Sequence, residues 1–338
     1  MDFQLSDDQR ALRAGMRELL AGRFDRDRMR AALDGGGGVG GELWRELGAA
    51  GLFALRLPET AGGVGLGLPE SVLVFDELGR CLLPGPLIAT QLAAGAVKGA
   101  AEGGAVVALA EAGRPVGHLA AADALLVLDG DSARVLSGGA LRRLVGEAEP
   151  VRSLDPGTPL WRVPGLAGYE GEPLPDGARL RREGALLAAA EQLGSAARSL
   201  EAAVQHARAR EQFGAPIGSF QAVKQLCAGM LVRAETARTA VYAAAVTADP
   251  VEIAGAKLLA DEAAVGNARD CLQVHGGMGF TWEADVHLHL KRAWLRAGQW
   301  LTAADAEEAL AADLGRSGAA GARCVRGTRR TPEVHAAQ

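Results

Sequence analysis

Two stretches hold the side chains and backbone best suited to chemistry. The first, REQFGAPIGSFQAVKQL, runs from Arg210 to Leu226, where one helical pattern stops at a Phe-Gly-x-Pro turn and another begins. The second, QVHGGMGFTWEADVHLHLKRA, runs from Gln273 to Ala293. Taken alone, Arg210 reads as a cation favoured by a helix C-terminal dipole. Ser219 reads as an N-cap, Phe213 as a staple for the turn and Gln221 as a solvated first-turn residue. Gly276, Gly277 and Gly279 leave backbone unshielded, so a ligand can approach the main chain closely. Exposed N–H groups near a helix start suit phosphate. The turn follows a helix rather than a strand, which separates it from a Rossmann phosphate loop.

Other chemistries find less support. His287 and His289 stand two residues apart on a predicted helix and point to different faces. With His275 in the glycine turn they do not converge as zinc ligands would, so no metal is expected. No serine or cysteine has a histidine and an acid at a recognisable spacing.

The elements that must position these residues follow from length and pattern. The 338 residues suggest two or three domains around a sizeable core. Ala, Leu and Gly dominate and aromatics are few, which favours close-packed helices. The formal charge is 36 minus 41, or −5, which gives no global attraction for nucleic acid or an anionic membrane. Cys81, Cys227, Cys271 and Cys324 lie far apart and read as reduced thiols of a cytoplasmic protein. The N-terminus MDFQLSDDQRALRAGMRELL carries acids and lacks the apolar core of a secretory signal. The longest apolar stretch is broken by Pro84 and Pro86, so no transmembrane segment is read.

Ser6 with Asp7 and Asp8 opens a first helix whose apolar stripe is Phe3, Leu12, Met16, Leu19 and Leu20. Residues 1–103 are expected to form an N-terminal helical domain. Short apolar runs bounded by Gly and Asp place a small β domain of five or six strands at 104–174. Residues 175–314 show two seams, Leu186-Ala190-Leu193-Ala197-Leu200-Val204-Ala207 and Phe220-Val223-Cys227-Met230-Ala234-Ala237-Val241. With helices near 251–274 and 283–296, these predict a four-helix bundle. Residues 315–338 lack periodicity and read as a disordered tail. The fold class is therefore mainly α with a small β domain.

Together, R-x-x-F-G-x-P-I-x-x-F-Q and, some fifty residues on, Q-x-x-G-G-x-G resemble the acyl-CoA dehydrogenase family. The opening MDFQLSDDQRALRAGMRELL and LPETAGGVGLGLPESVLVFDELGR are similar to that family too, and the similarity runs to about Arg296. The resemblance implies FAD as cofactor. It implies that Arg210 grips the pyrophosphate, with Phe213 and Gln221 flanking the dinucleotide. Gln273, Val274, His275, Gly276 and Gly277 would hold the adenosine end. In the family these contacts cross a subunit interface. A planar arginine fork suits phosphate oxygens, and glycines let the cofactor lie against backbone.

The chain also departs from the family pattern. The family's base is a carboxylate, usually Glu, in a Y-E-G-[TS] turn after the last bundle helix. Counting forward from the glycine turn, Trp300 takes that place. In some members the Glu sits on the first bundle helix; counting back from Arg210 reaches Gly184, with Glu183 one residue away. Glu183 is thus the candidate base if the register slips, and otherwise a solvated first-turn acid. Glu307 and Glu308 are further candidates after a shift. ALAEAGRPVGH (Ala108 to His118) only faintly echoes the family's loop against the flavin ring, and the β domain looks shortened.

This asymmetry implies a short subunit that completes the FAD site of a full-length partner carrying the base, in an α2β2 heterotetramer. Such heteromers act on CoA thioesters of bulky acyl groups, sterol side chains included, and family members usually pass electrons to an electron-transferring flavoprotein. A self-sufficient homomer using Glu183 and a non-enzymatic scaffold remain the alternatives.

Overall fold

The structure is a computed structural model; it describes residues 4–38 and 40–326, with side chains to residue 316. Phe3, the side chain of Cys324 and the end of the tail lie outside the described residues.

Helix α1 (Asp7–Arg23) opens on a capping box: the Ser6 hydroxyl accepts from Gln9 N, and the Gln9 side chain accepts from Ser6 N. Met16 and Leu20 turn its stripe into the core. Helices α2 (Arg26–Asp34) and α3 (Gly41–Ala49) follow across the glycine run. Helix α4 (Leu68–Cys81) is buried along most of its length, packed against α1 on one side and the bundle on another. Helix α5 (Leu87–Ala93) restarts after Pro84 and Pro86.

The β region holds seven strands rather than five or six. Strands β1 (Val107–Glu111) and β2 (Val116–Gly117) come first. Then come β3 (Ala124–Asp129), β4 (Ser132–Ser137), β5 (Glu149–Val151), β6 (Leu160–Arg162) and β7 (Glu172–Leu174). The larger sheet runs β1-β3-β4-β7, with β1 parallel to β3 and the other pairs antiparallel; the smaller runs β2-β6-β5. Alternation decides the packing: Leu125 and Val127 face the β region's own core, whereas Leu126 and Leu128 face the main core shared with the helices. Helix α6 (Gly138–Glu147), absent from the sequence reading, covers the first face with Leu141 and Leu144.

Four helices then pack as the seams require: α7 (Gly177–Ala209), α8 (Gln221–Thr247), α9 (Pro250–His275) and α10 (Val286–Ala297). Between α7 and α8 lies a hairpin of β8 (Glu211–Gln212) and β9 (Ala215–Pro216). The structure corrects the sequence reading at the end of the chain. Helix α11 (Ala303–Arg326) packs against α9 and takes in residues expected to be disordered from 315 onward. Its start is capped by Thr302 and Asp305, which exchange backbone-to-side-chain bonds at 3.2 and 3.3 Å. The abundant alanine that follows carries the helix without a long apolar seam. No helix among the described residues is long and apolar enough to cross a membrane.

Candidate functional site

Helix α7 ends where Arg210 N donates to His206 O at 2.9 Å. The hairpin that follows has the two-residue loop Phe213–Gly214, with φ of +53° and +78°. Two positive φ values give the mirror-image turn that matches strand twist, so the loop needs Gly at 214 and strains Phe213. Ile217 N closes back on Arg210 O at 2.8 Å. This geometry projects Phe213 outward: it is 94% exposed and meets only the edge of Phe220, 6.0 Å between centroids. Phe213 is not a staple for the turn. Nor is Ser219 the N-cap; its hydroxyl donates to Pro216 O at 2.7 Å, and Phe220 stands at the cap.

The Arg210 guanidinium is exposed and makes no hydrogen bond or ion pair among the described residues. Gln221 begins α8 with an exposed side chain. Beside Arg210 the ends of α7 and α9 meet, His206 stacked on His275 at 4.0 Å. His275 Nδ1 lies 2.8 Å from Cys271 O. A carbonyl only accepts, so Nδ1 carries the proton and Nε2 is the ring's remaining polar atom. Burial, with His275 and Arg210 alongside, depresses the pKa of His206. His206 was not singled out in the sequence, although it lies one turn before Arg210 on the same helix face.

Helix α9 stops at Gly276, whose φ of +63° and ψ of −145° suit glycine almost alone. A Cβ at Gly276 or Gly277 would meet nothing within 4 Å, so the backbone there is open to a ligand. Gln273 is exposed and His275 half-buried. Val274 differs from expectation: its side chain is buried in the core with Ala207, Met230 and Leu290, leaving only its backbone to face a ligand. These residues fit FAD's anionic adenosine side: a free guanidinium, two exposed amides and unshielded main chain.

The other half of the family site looks different. Trp300 and Gly184, the two positions where counting places the base, touch. Trp300 is 3% exposed with φ +65°, and a Cβ at Gly184 would overlap its indole. Charged groups hold the turn. Trp300 N donates to Glu111 Oε2 at 3.3 Å, and Arg181 Nη1 reaches Glu111 Oε1 at 2.7 Å and Trp300 O at 3.5 Å. Arg114 donates to Gly298 O, and Lys257 to Arg296 O at 3.4 Å. Of these, only Glu111 and Arg114 lay in a stretch already noted, the ALAEAGRP echo; the clamp joins residues too distant in sequence for any motif.

Glu183 is not free. Both its oxygens accept from Arg56, at 2.8 Å each, so it is neither the solvated acid nor an unencumbered base. Glu307 and Glu308 are exposed on α11. His287 and His289 do face different neighbours. His287 stacks on Trp282 at 5.2 Å, and His289 Nδ1 lies 2.7 Å from Ser195 Oγ. Cys81 and Cys271 are free thiols whose pKa burial pushes up to about 11 and about 12.

Comparison with known proteins gives this geometry its context. Residues 6–102 match the family model described as acyl-CoA dehydrogenase, N-terminal domain, and residues 181–298 match the acyl-CoA dehydrogenase C-terminal domain. The chain is 38% identical to acyl-CoA dehydrogenase IpdE2 of Mycobacterium tuberculosis, over 85% of this chain and 91% of that one. It is 36% identical to acyl-CoA dehydrogenase FadE34 of the same organism, covering 81% of this chain but only 44% of that longer protein. Its fold matches a solved steroid ACAD, the Tcur3481-Tcur3483 G363A variant, with a TM-score of 0.79 at 24% identity, over 93% of this chain and 99% of that one. A glutaryl-coenzyme A dehydrogenase complex matches with the same TM-score at 23% identity, over 99% of this chain and 100% of the other. At such identities the two structures speak for the fold. The family models and the relatives decide the rest: this chain belongs to the acyl-CoA dehydrogenase family, oxidoreductases whose cofactor is FAD.

Proposed function

We propose that this chain is the short subunit of a heteromeric acyl-CoA dehydrogenase, completing the FAD site of a full-length partner that carries the base. The observation that carries the reading is the contact of Trp300 with Gly184. Both places that hold the base in relatives are filled by groups that cannot take a proton, while the adenosine-side cradle stays open. When bound, FAD accepts the hydride leaving the β carbon of the thioester. This chain's part is positional. Arg210 would neutralise the pyrophosphate in bidentate fashion. Gln221 and Gln273 would bond the dinucleotide's polar edges, and Gly276 and Gly277 would let it lie against backbone. The partner would take the proton from the α carbon.

An exposed Phe213 on the hairpin also favours assembly, since such an aromatic gains most when covered. We place the complex as an α2β2 heterotetramer in the cytoplasm, acting on a bulky acyl-CoA and passing electrons to an electron-transferring flavoprotein. A sterol-derived acyl group is the substrate that the family resemblance suggests. The bidentate Arg56 pair counts against a homomer that uses Glu183.

The test is FAD per chain, read from the visible flavin spectrum. Protein purified alone should hold little or none, and co-expression with a base-carrying full-length subunit should restore it together with acyl-CoA turnover. One tightly bound FAD per chain in the isolated protein would overturn the reading.

A further inference from the structure

Two adjoining cavities, of about 290 and 470 Å³, follow the seam between the N-terminal helices and the bundle. Arg198 of α7 lines both, as do Asp285 and His289 around the start of α10. Neither wall includes a residue of the clamp around Trp300, and of the cradle residues only His275 borders the smaller cavity. Arg198 precedes Arg210 on α7 by roughly 18 Å, at 1.5 Å per residue.

The two polar groups that meet here both lack partners. His289 is 8% exposed. Its Nδ1 lies 2.7 Å from Ser195 Oγ, and that hydroxyl makes no other hydrogen bond among the described residues. The hydroxyl therefore donates to Nδ1, which leaves the proton of the neutral ring on Nε2. Burial, with Arg198, Arg296 and Arg292 alongside, lowers the pKa of His289 to about 3, so the ring stays neutral. Its Nε2–H has no partner among the described residues and, unlike the ring nitrogens of His287, keeps surface open to the cavities. Arg198 is partly exposed, and Glu201 beside it gives both oxygens to Arg80, at 2.7 and 2.6 Å. Glu201 stands 3.7 Å from Arg198, with no hydrogen bond between them.

The nearby carboxylates are already taken. Glu77 is shared by Arg13, Arg17 and Arg80, and Asp285 by Arg26 and Arg30. Asp25 caps α2 through Arg28 N, and Glu283 stands exposed at the outer lip. Arginine is thus in surplus along the seam, and the guanidinium left without a hydrogen bond is the one beside His289.

We propose that Arg198 and His289 form a binding site for a phosphate group. A phosphate presents three terminal oxygens; two suit the guanidinium fork and one accepts from Nε2–H. A carboxylate has only two, and the fork takes both. Leu20, Phe24, Met29 and Leu82 in the wall of the larger cavity would carry the body of a phosphate ester. The site does not depend on FAD or on the subunit reading.

The experiment titrates the isolated full chain with phenyl phosphate, inorganic phosphate and benzoate, at neutral pH and constant ionic strength, by calorimetry. Both phosphates should saturate, with benzoate at least tenfold weaker. Tighter phenyl phosphate identifies an ester lying on the apolar wall; tighter inorganic phosphate identifies the free ion. In protein labelled with ¹⁵N-histidine, the Nε2 resonance of His289 should move with the same midpoint. Arg198→Gln breaks no hydrogen bond, so it should fold, and it should weaken phosphate binding at least tenfold. A non-saturating response, benzoate binding as tight as phosphate, undiminished binding by Arg198→Gln or an unmoved His289 resonance would each overturn the proposal. Loss of binding in Arg210→Ala would assign the signal to the cofactor cradle and overturn it as well.

Discussion

Trp300 lies across Gly184 so closely that the helix has no room for even a methyl group beneath the indole. The two residues come from opposite ends of the bundle sequence, one on the first long helix and one in the turn after α10. Their contact predicts a coupled pair. Gly184→Ala should destabilise the chain by about 1–3 kcal/mol through overpacking. Trp300→Ala should cost about 3–5 kcal/mol through the void it leaves. The double variant should lie well below the sum, because the smaller residue at 300 makes room for the added methyl group. Urea denaturation of the four proteins measures the coupling; strict additivity would deny the contact.

Arg210 is the cleanest probe of the cofactor role, since its guanidinium makes no hydrogen bond or ion pair among the described residues. Arg210→Ala should leave the stability of the isolated chain within about 0.5 kcal/mol of the parent. It should lower FAD affinity of the assembled enzyme at least tenfold, with Lys recovering only part because it cannot form the bidentate fork. Unchanged flavin content and activity would point to a scaffold that has abandoned the cofactor.

Glu183→Gln separates structure from catalysis. Breaking the mostly buried pair with Arg56 should cost about 1–3 kcal/mol in urea melts. Turnover per folded complex should not change. A collapse of activity at intact fold would restore Glu183 as the base.

His118 supplies a pH signature. Burial, with Arg292 beside it, lowers its pKa to about 3 from an unfolded value near 6.5. The unfolded chain therefore takes up this proton first as pH falls. The stability that neutral His118 provides is whole above pH about 6.5 and declines below it. Between pH 7 and pH 5 the decline amounts to about 2 kcal/mol. Buried acids with raised pKa, Glu191 among them, act in the opposite direction, but equally in parent and variant. His118→Asn should thus show a shallower loss over this range by about 2 kcal/mol, measured as urea stability at both pH values.

Much of this was legible because it is periodic or local. The capping box at Ser6, the seam from Met230 to Val241 and the glycine stop of α9 are written within a few turns of chain. Simple counting also singled out Trp300 and Gly184, which the structure brings into contact. The misses have physical reasons. Val274 sits in a ligand motif but on the inner face of α9, which a motif cannot tell from the outer one. Ser219 loses its capping role to a hydrogen bond with a turn that only the two positive φ values create. Helix α11 is held by alanine propensity and by α9, and has no apolar stripe of its own length. The clamp of Glu111, Arg114, Arg181 and Lys257 joins four distant segments and has no local signal.

That clamp bears on the history of the chain. A single change of Trp300 to Glu would set a carboxylate near Glu111, whose oxygen already takes the Trp300 N–H, and would leave an indole-sized hollow over Gly184. The empty space would oppose it. Placing a carboxylate at position 300 would therefore require compensating substitutions around it. On the short-subunit reading proposed above, a division of labour between unlike subunits would act as an evolutionary ratchet.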